Sequence, residues 1–204
     1  MGPIRAGRTD LDLRWERKAS PWLPTATAVA VGLTLGWPAH RARDKSWPLG
    51  RTTLDAITLL KADHDKVKSL LAELDSTTER GVKTRTELFA RIKAELTVHE
   101  VIEEEIFYPE LKAHPKAKDI VLEGFEEHHV VDVLMGELEA LPVDDEAWGT
   151  KATVMKENVE HHIEEEEGEM FRIARQVFDK AELADLGERM AARKETAKAQ
   201  IGVA

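Results

Sequence analysis

Four histidines and two glutamates carry the chemistry of this chain: His64, His99 with Glu103, His128, and His162 with Glu166. Each lies in a stretch whose apolar residues recur every three or four positions, on the face that a helix would bury. Imidazoles and carboxylates are costly in a dry core unless something positively charged holds them together, and a pair of metal ions is the simplest such thing. Divalent first-row ions take about four to six donors and accept imidazole nitrogen with carboxylate oxygen. Six side chains from four helices can serve two ions if Glu103 and Glu166 bridge or chelate across about 3.5 Å, with solvent or substrate in the vacancies.

The elements that must position these groups are read from periodicity. Leu54, Ile57, Leu60, His64, Val67, Leu71 and Leu74 share one stripe, with Thr53 a candidate cap. A second helix begins near Gly81 to Thr84 and carries Leu88, Ile92, Leu96, His99, Glu103 and Ile106 until Pro109 ends or kinks it. A third carries Val121, Phe125, His128, Asp132, Met135 and Leu138 and stops before Pro142. A fourth starts at Asp144 or Asp145 and carries Met155, Val159, His162, Glu166, Ile173 and Val177. The pattern predicts an all-α, antiparallel up-down four-helix bundle over residues 51–179. It is preceded by an extension, 1–50, and followed by a fifth helix and tail, 180–204, capped at Asp179. The tail has high helix propensity but little to bury, which predicts a partly solvated appendage.

Register decides between neighbouring histidines. His162 and Glu166 fall in line with Met155, Val159 and Ile173, whereas His161 and Glu165 fall beside Asn158 and Gly168 on a less apolar line. Val121, Phe125 and Met135 align with His128 rather than His129. His40, His114, His129 and His161 are therefore peripheral. Asp132, Glu100 and Tyr108 are further candidates to support the centre. One histidine on an apolar face is ordinarily a hydrogen-bonded core residue; four at matching positions with two H-x-x-x-E spacings are not explained that way.

The chain also repeats itself. HDKVKSLLAEL matches HHVVDVLMGEL, and His99, Glu103 and Tyr108 are spaced as His162, Glu166 and Phe171 are. Each half reads as a helix with one histidine, then a helix with H-x-x-x-E, which predicts a pseudo-twofold bundle. Lys68 stands where the second half has Asp132, so the halves differ there.

Composition narrows the remaining classes. With 29 Lys and Arg against 39 Asp and Glu the 204-residue chain carries a formal charge of -10, which argues against nucleic acid or an anionic membrane as partner. It has no cysteine, which excludes disulfides, thiolate metal sites and cysteine nucleophiles. Arg14, Arg17 and Lys18 precede an apolar stretch at 26–37, but it follows Pro21 and Pro24 and is far short of the ~20 residues that span a bilayer. A cytoplasmic location is expected. Trp15, Trp22, Trp37 and Trp47 suggest that the extension packs on a body; it could cover one end of the bundle, form a homodimer contact, or line access to the site.

In these motifs the chain resembles the hemerythrin-like family, the HHE cation-binding domain, over about residues 51–179. The resemblance rests on His64, on His99 and Glu103 within HEVIEEEIFYP, on His128 within EEHHVVDVLMGEL, and on His162 and Glu166 within HHIEEEEGEMF. DKAELADLGERMAARK looks like the helix that often follows the bundle in bacterial members. The resemblance implies a non-haem centre of two iron ions, commonly oxo- or hydroxo-bridged, and a small diatomic or peroxide ligand. It implies dioxygen or nitric oxide binding, or peroxide decomposition; the alternative is a redox or gas sensor or iron-binding protein without turnover. Zinc or manganese would fit the donors with less support. Unlike the oxygen carriers of marine invertebrates, this chain has Asp132 where they place a second histidine on the third helix. It also uses H-x-x-x-E on the fourth. The added negative charge favours the oxidised centre, so reversible oxygen carriage gives way to redox chemistry or sensing.

Overall fold

A computed structural model describes residues 55–202, which are helical with no strand among them. The extension, Thr53 and Leu54 lie outside the described residues. α1 (Ala56–Asp75) is capped by Asp55, whose carboxylate accepts the Thr58 N–H at 2.9 Å. α2 (Val82–Ile102) runs into a π turn (Glu103–Phe107) and then α3 (Tyr108–Lys112), forming one interrupted rod. α4 (Lys118–Ala140) ends before Pro142, and α5 (Glu146–Glu165) is capped by Asp145. A second π turn (Glu166–Met170) leads into α6 (Phe171–Val177). The short links at 76–81, 113–117 and 141–145 fold successive rods back on one another as an antiparallel four-rod bundle.

Two apolar clusters fill its interior. One gathers Leu60, Ile102, Phe107, Leu111 and Phe171; the other gathers Leu71, Ile92, Met135, Leu138, Trp148 and Met155. Between them, in sequence and in space, lies a layer of buried histidine and glutamate.

The π turns are not visible in a 3.6-residue pattern, and each resets the helical register of the residues beyond it. Tyr108 N–H bonds to Glu103 O, and Phe171 N–H to Glu166 O, each five residues back instead of four. The extra residue delays the inward face by one position. Ile106 is accordingly only half-buried, while Phe107, Tyr108 and Leu111 are fully enclosed. Nor does the rod stop at Pro109: the widened turn precedes it, and helix continues to Lys112.

The last helix, α7 (Lys180–Ile201), departs from the expectation of an appendage. Asp179 and Glu182 form a capping box, and Leu183, Leu186, Met190 and Ala197 are buried against the first two rods. Arg193 forks onto both oxygens of Glu105 at 2.6 and 2.9 Å, and Arg189 reaches Glu110 at 2.9 Å. Propensity could not foresee this, because the receiving surface belongs to α1 and α2. Leu186→Ala is expected to lower the unfolding free energy by about 2–5 kcal/mol in urea titration; a loss below about 0.5 kcal/mol would mean the helix is peripheral.

Candidate metal centre

His64 from α1, His99 from α2, His128 from α4 and His162 from α5 are all at least 95% buried and turn Nε2 toward a common centre, where Glu103 and Glu166 open their π turns. His64 Nε2 lies 3.0 Å from Glu166 Oε2, and His99 Nε2 lies 3.2 Å from Glu103 Oε2. His128 Nε2 is 3.3 Å from the same Glu103 oxygen and 3.2 Å from His162 Nε2. Two donor groups result: His64, His99, Glu103 and Glu166 in one, and Glu103, His128 and His162 in the other. Glu103 belongs to both.

These short approaches are mostly not hydrogen bonds. His64 Nε2, His99 Nε2 and all four oxygens of Glu103 and Glu166 are buried without a hydrogen-bond partner among the described residues. Such orphaned acceptors, crowded together, are costly in a bare protein and suit a cation that accepts all of them. The donor chemistry fits two divalent ions of the iron, manganese or zinc type.

A ring of outer carboxylates surrounds the imidazoles. Glu167 meets His64 Nδ1 at 3.1 Å, Glu104 meets His128 Nδ1 at 3.1 Å, and Glu127 meets His162 Nδ1 at 2.7 Å. Asp63 faces His99 Nδ1 at the longer distance of 3.8 Å. A proton donated from Nδ1 to carboxylate leaves the Nε2 lone pair aimed inward, as a ligand requires. The periodicity of the apolar residues gives these four residues no role. The signal was in the repeat: Asp63 precedes His64 as Glu127 precedes His128, and Glu104 follows Glu103 as Glu167 follows Glu166.

The halves exchange their aromatic residues as well. Tyr108 stacks on His128 at 5.4 Å and 19°, its Oη 3.4 Å from Nε2, while Phe171 stacks on His64 at 5.9 Å and 2°. Gly124 makes room for the phenol, since a Cβ there would stand 2.8 Å from Tyr108 Oη. Symmetry breaks at the outer ring. Lys194 of α7 pairs with Asp63, Lys61 pairs with Glu167 at 2.6 Å, and Glu127 instead faces the exposed His161 at 3.9 Å. The Glu127→Gln and Glu104→Gln variants are each expected to weaken metal binding by about 10–100-fold, and competition titration against a chelator measures it.

Of the other candidates, Glu100 is buried and lines a cavity of about 10 Å³ against all four imidazoles, otherwise walled by Val67, Leu96, Val131, Val159 and Ile163. Burial pushes its carboxyl well above the usual range. Asp132 is half-buried and joins neither donor group. His129 is exposed, as is His161 at 63% of its side chain. In the protein without ions, burial holds His99 down at about 4, against the pull of Asp63. Burial and the charge of Glu166 raise Glu103 well above the ordinary carboxylate range. Burial also pushes Glu166 upward, but the close approach of His64 Nε2 and the charges of His162 and His64 outweigh it, leaving Glu166 at about 2.

Fold and donor set together define a helical-bundle protein that gathers cations between histidine and carboxylate. The family model described as the hemerythrin HHE cation binding domain matches residues 55–174. The chain is 32% identical over 144 residues to the uncharacterized proteins Rv2633c of Mycobacterium tuberculosis and Mb2666c of Mycobacterium bovis, covering 69% of this chain and 85% of each relative. A crystal structure of an HHE cation binding domain-containing protein, the Rv2633c homologue from Mycobacterium kansasii, superposes with a TM-score of 0.63 at 29% identity, covering 71% of this chain and 88% of that one. The chain belongs to the hemerythrin HHE cation-binding domain family. No helix among the described residues is long and apolar enough to cross a membrane.

Proposed function

We propose that the protein holds two iron ions, one at His64, His99, Glu103 and Glu166 and one at Glu103, His128 and His162, and decomposes hydrogen peroxide. The same centre binds dioxygen or nitric oxide as smaller ligands. One peroxide is oxidised to dioxygen, and its two electrons and two protons reduce a second to two waters. Iron supplies the change of oxidation state that zinc lacks. The chain's own residues hold the ions, exclude water through two apolar clusters, and fix His64, His128 and His162 through Nδ1.

The observation that carries this reading is the cavity of about 10 Å³ against the four imidazoles. That space holds about one water-sized ligand. Apart from the four imidazoles and Glu100, its walls are the apolar Val67, Leu96, Val131, Val159 and Ile163, so a short ligand is held chiefly by the ions. Substrates much larger than hydrogen peroxide do not fit.

The test is metal quantification of freshly purified protein, followed by optical spectra and oxygen-electrode traces after peroxide addition. Two irons per chain, gas evolution with hydrogen peroxide and none with cumene hydroperoxide are expected. Zinc in the purified protein, or equal turnover of both peroxides, would overturn the reading. Spectral change without gas evolution would point to the sensing alternative.

A further inference from the structure

A second cavity, of about 170 Å³, opens at the far end of the bundle beside Arg85 and Trp148. Leu74, on its wall, is ten residues from His64 along α1, or about 15 Å at the helical rise. It is separate from the metal centre.

Arg85, in the first turns of α2, is 93% buried, with 7% of its surface exposed. Its guanidinium lies over the Trp148 ring at 5.3 Å. Nε donates to Thr77 Oγ1 at 3.0 Å, but Nη1 reaches Val143 O only at 3.4 Å and Nη2 reaches Thr77 O only at 3.5 Å. Those two bonds are at the limit of hydrogen-bonding range, and each terminal nitrogen has a second N–H. No carboxylate of the described residues forms an ion pair with Arg85. Asp75, the acidic residue on the cavity wall, is taken by Lys156 at 2.8 Å. Backbone carbonyls and a hydroxyl tether the guanidinium but do not balance its charge, and a buried unpaired cation is among the costlier arrangements a protein can hold.

We propose that this cavity binds a small monocarboxylate, its carboxylate forked on Nη1 and Nη2 of Arg85. The planar fork matches two carboxylate oxygens. Leu71, Leu74, Ala152 and Trp148 give the cavity one apolar side, which suits a short hydrocarbon chain, while Asp75, Thr77, Thr153 and Lys156 line the remainder. A cavity of about 150 Å³ admits a six-carbon ring, so a ligand of about six heavy atoms fits. Lys156, also on the wall, is held by Asp75, so Arg85 offers a single unbalanced positive charge, which matches a monocarboxylate better than a doubly charged phosphate.

The test uses the full metal-loaded chain, calorimetric titration and thermal melting, with butyrate, its neutral analogue butyramide, and inorganic phosphate as probes. Butyrate is expected to bind and to raise Tm, with butyramide and phosphate at least tenfold weaker. Arg85→Met is expected to weaken butyrate at least tenfold while two ions stay bound. Ala152→Leu, which fills the cavity and leaves Arg85 in place, is expected to do the same and serves if Arg85→Met does not fold. No binding of butyrate, equal binding of butyramide or phosphate, or binding undiminished in Ala152→Leu would each overturn the proposal. The last result, with a shifted metal spectrum, would place the carboxylate on the ions instead. None of these outcomes depends on peroxide turnover.

Discussion

Glu103→Ala is expected to empty both metal positions, whereas Glu166→Ala is expected to empty only the one shared with His64 and His99. The difference follows from Glu103 standing in both donor groups and Glu166 in one. Metal content should fall from two ions per chain to near none in the first variant and to about one in the second. Stability of the ion-free proteins should move the opposite way. Glu103 is fully buried, with neither oxygen hydrogen-bonded among the described residues. Glu103→Gln, which keeps the volume and needs no proton taken up on burial, is therefore expected to melt above ion-free wild type at neutral pH and below loaded wild type. Elemental analysis and paired melting curves decide it; equal metal loss in Glu103→Ala and Glu166→Ala would show that the carboxylates are equivalent.

The second large effect is the pH dependence of the protein stripped of its ions. His99 falls from 6.5 to about 4 on folding because burial disfavours its charged form. Its contribution is intact above 6.5 and is lost as pH falls toward 4. Glu103 is shifted the other way, above its ordinary 4.5, by burial and by the charge of Glu166. Its contribution is present below 4.5 and is lost as pH rises through the folded value. The stripped protein should therefore be most stable in weakly acid solution and lose stability on both sides. Bound ions demand a deprotonated Glu103 and a neutral His99, so loading should remove the alkaline decline and release protons. Denaturant titrations from pH 4 to 9, with and without metal, measure the first effect. Calorimetry in buffers of differing ionisation enthalpy measures the second. An ion-free protein whose stability is flat from pH 5 to 8 would contradict the assignment.

How far the sequence could be read depended on whether the relevant contacts repeat at helical spacing. His162 was separable from His161, and His128 from His129, because each shares a stripe with residues that also go inward, such as Met155 and Met135. The bundle and the caps at Asp145 and Asp179 were legible for the same local reasons. Ile106 was misassigned because a π turn adds a residue that no 3.6-residue template anticipates. Asp63 and Glu127 lay one residue from their histidines along the chain, yet each serves an imidazole on another helix, so only spatial packing reveals the pairing. Lys194 was further out of reach, since its partner Asp63 is 131 residues away.

The widened turns set a limit on how this chain can vary in length. At Glu103 and at Glu166 each rod carries one residue more than ordinary winding needs. Deleting a single residue just downstream would restore regular hydrogen bonding and look harmless by backbone criteria. It would also rotate everything beyond it by about 100°, carrying Tyr108 or Phe171 off the imidazole it covers. Evolution and engineering alike can therefore shorten the links between rods more freely than the rods themselves.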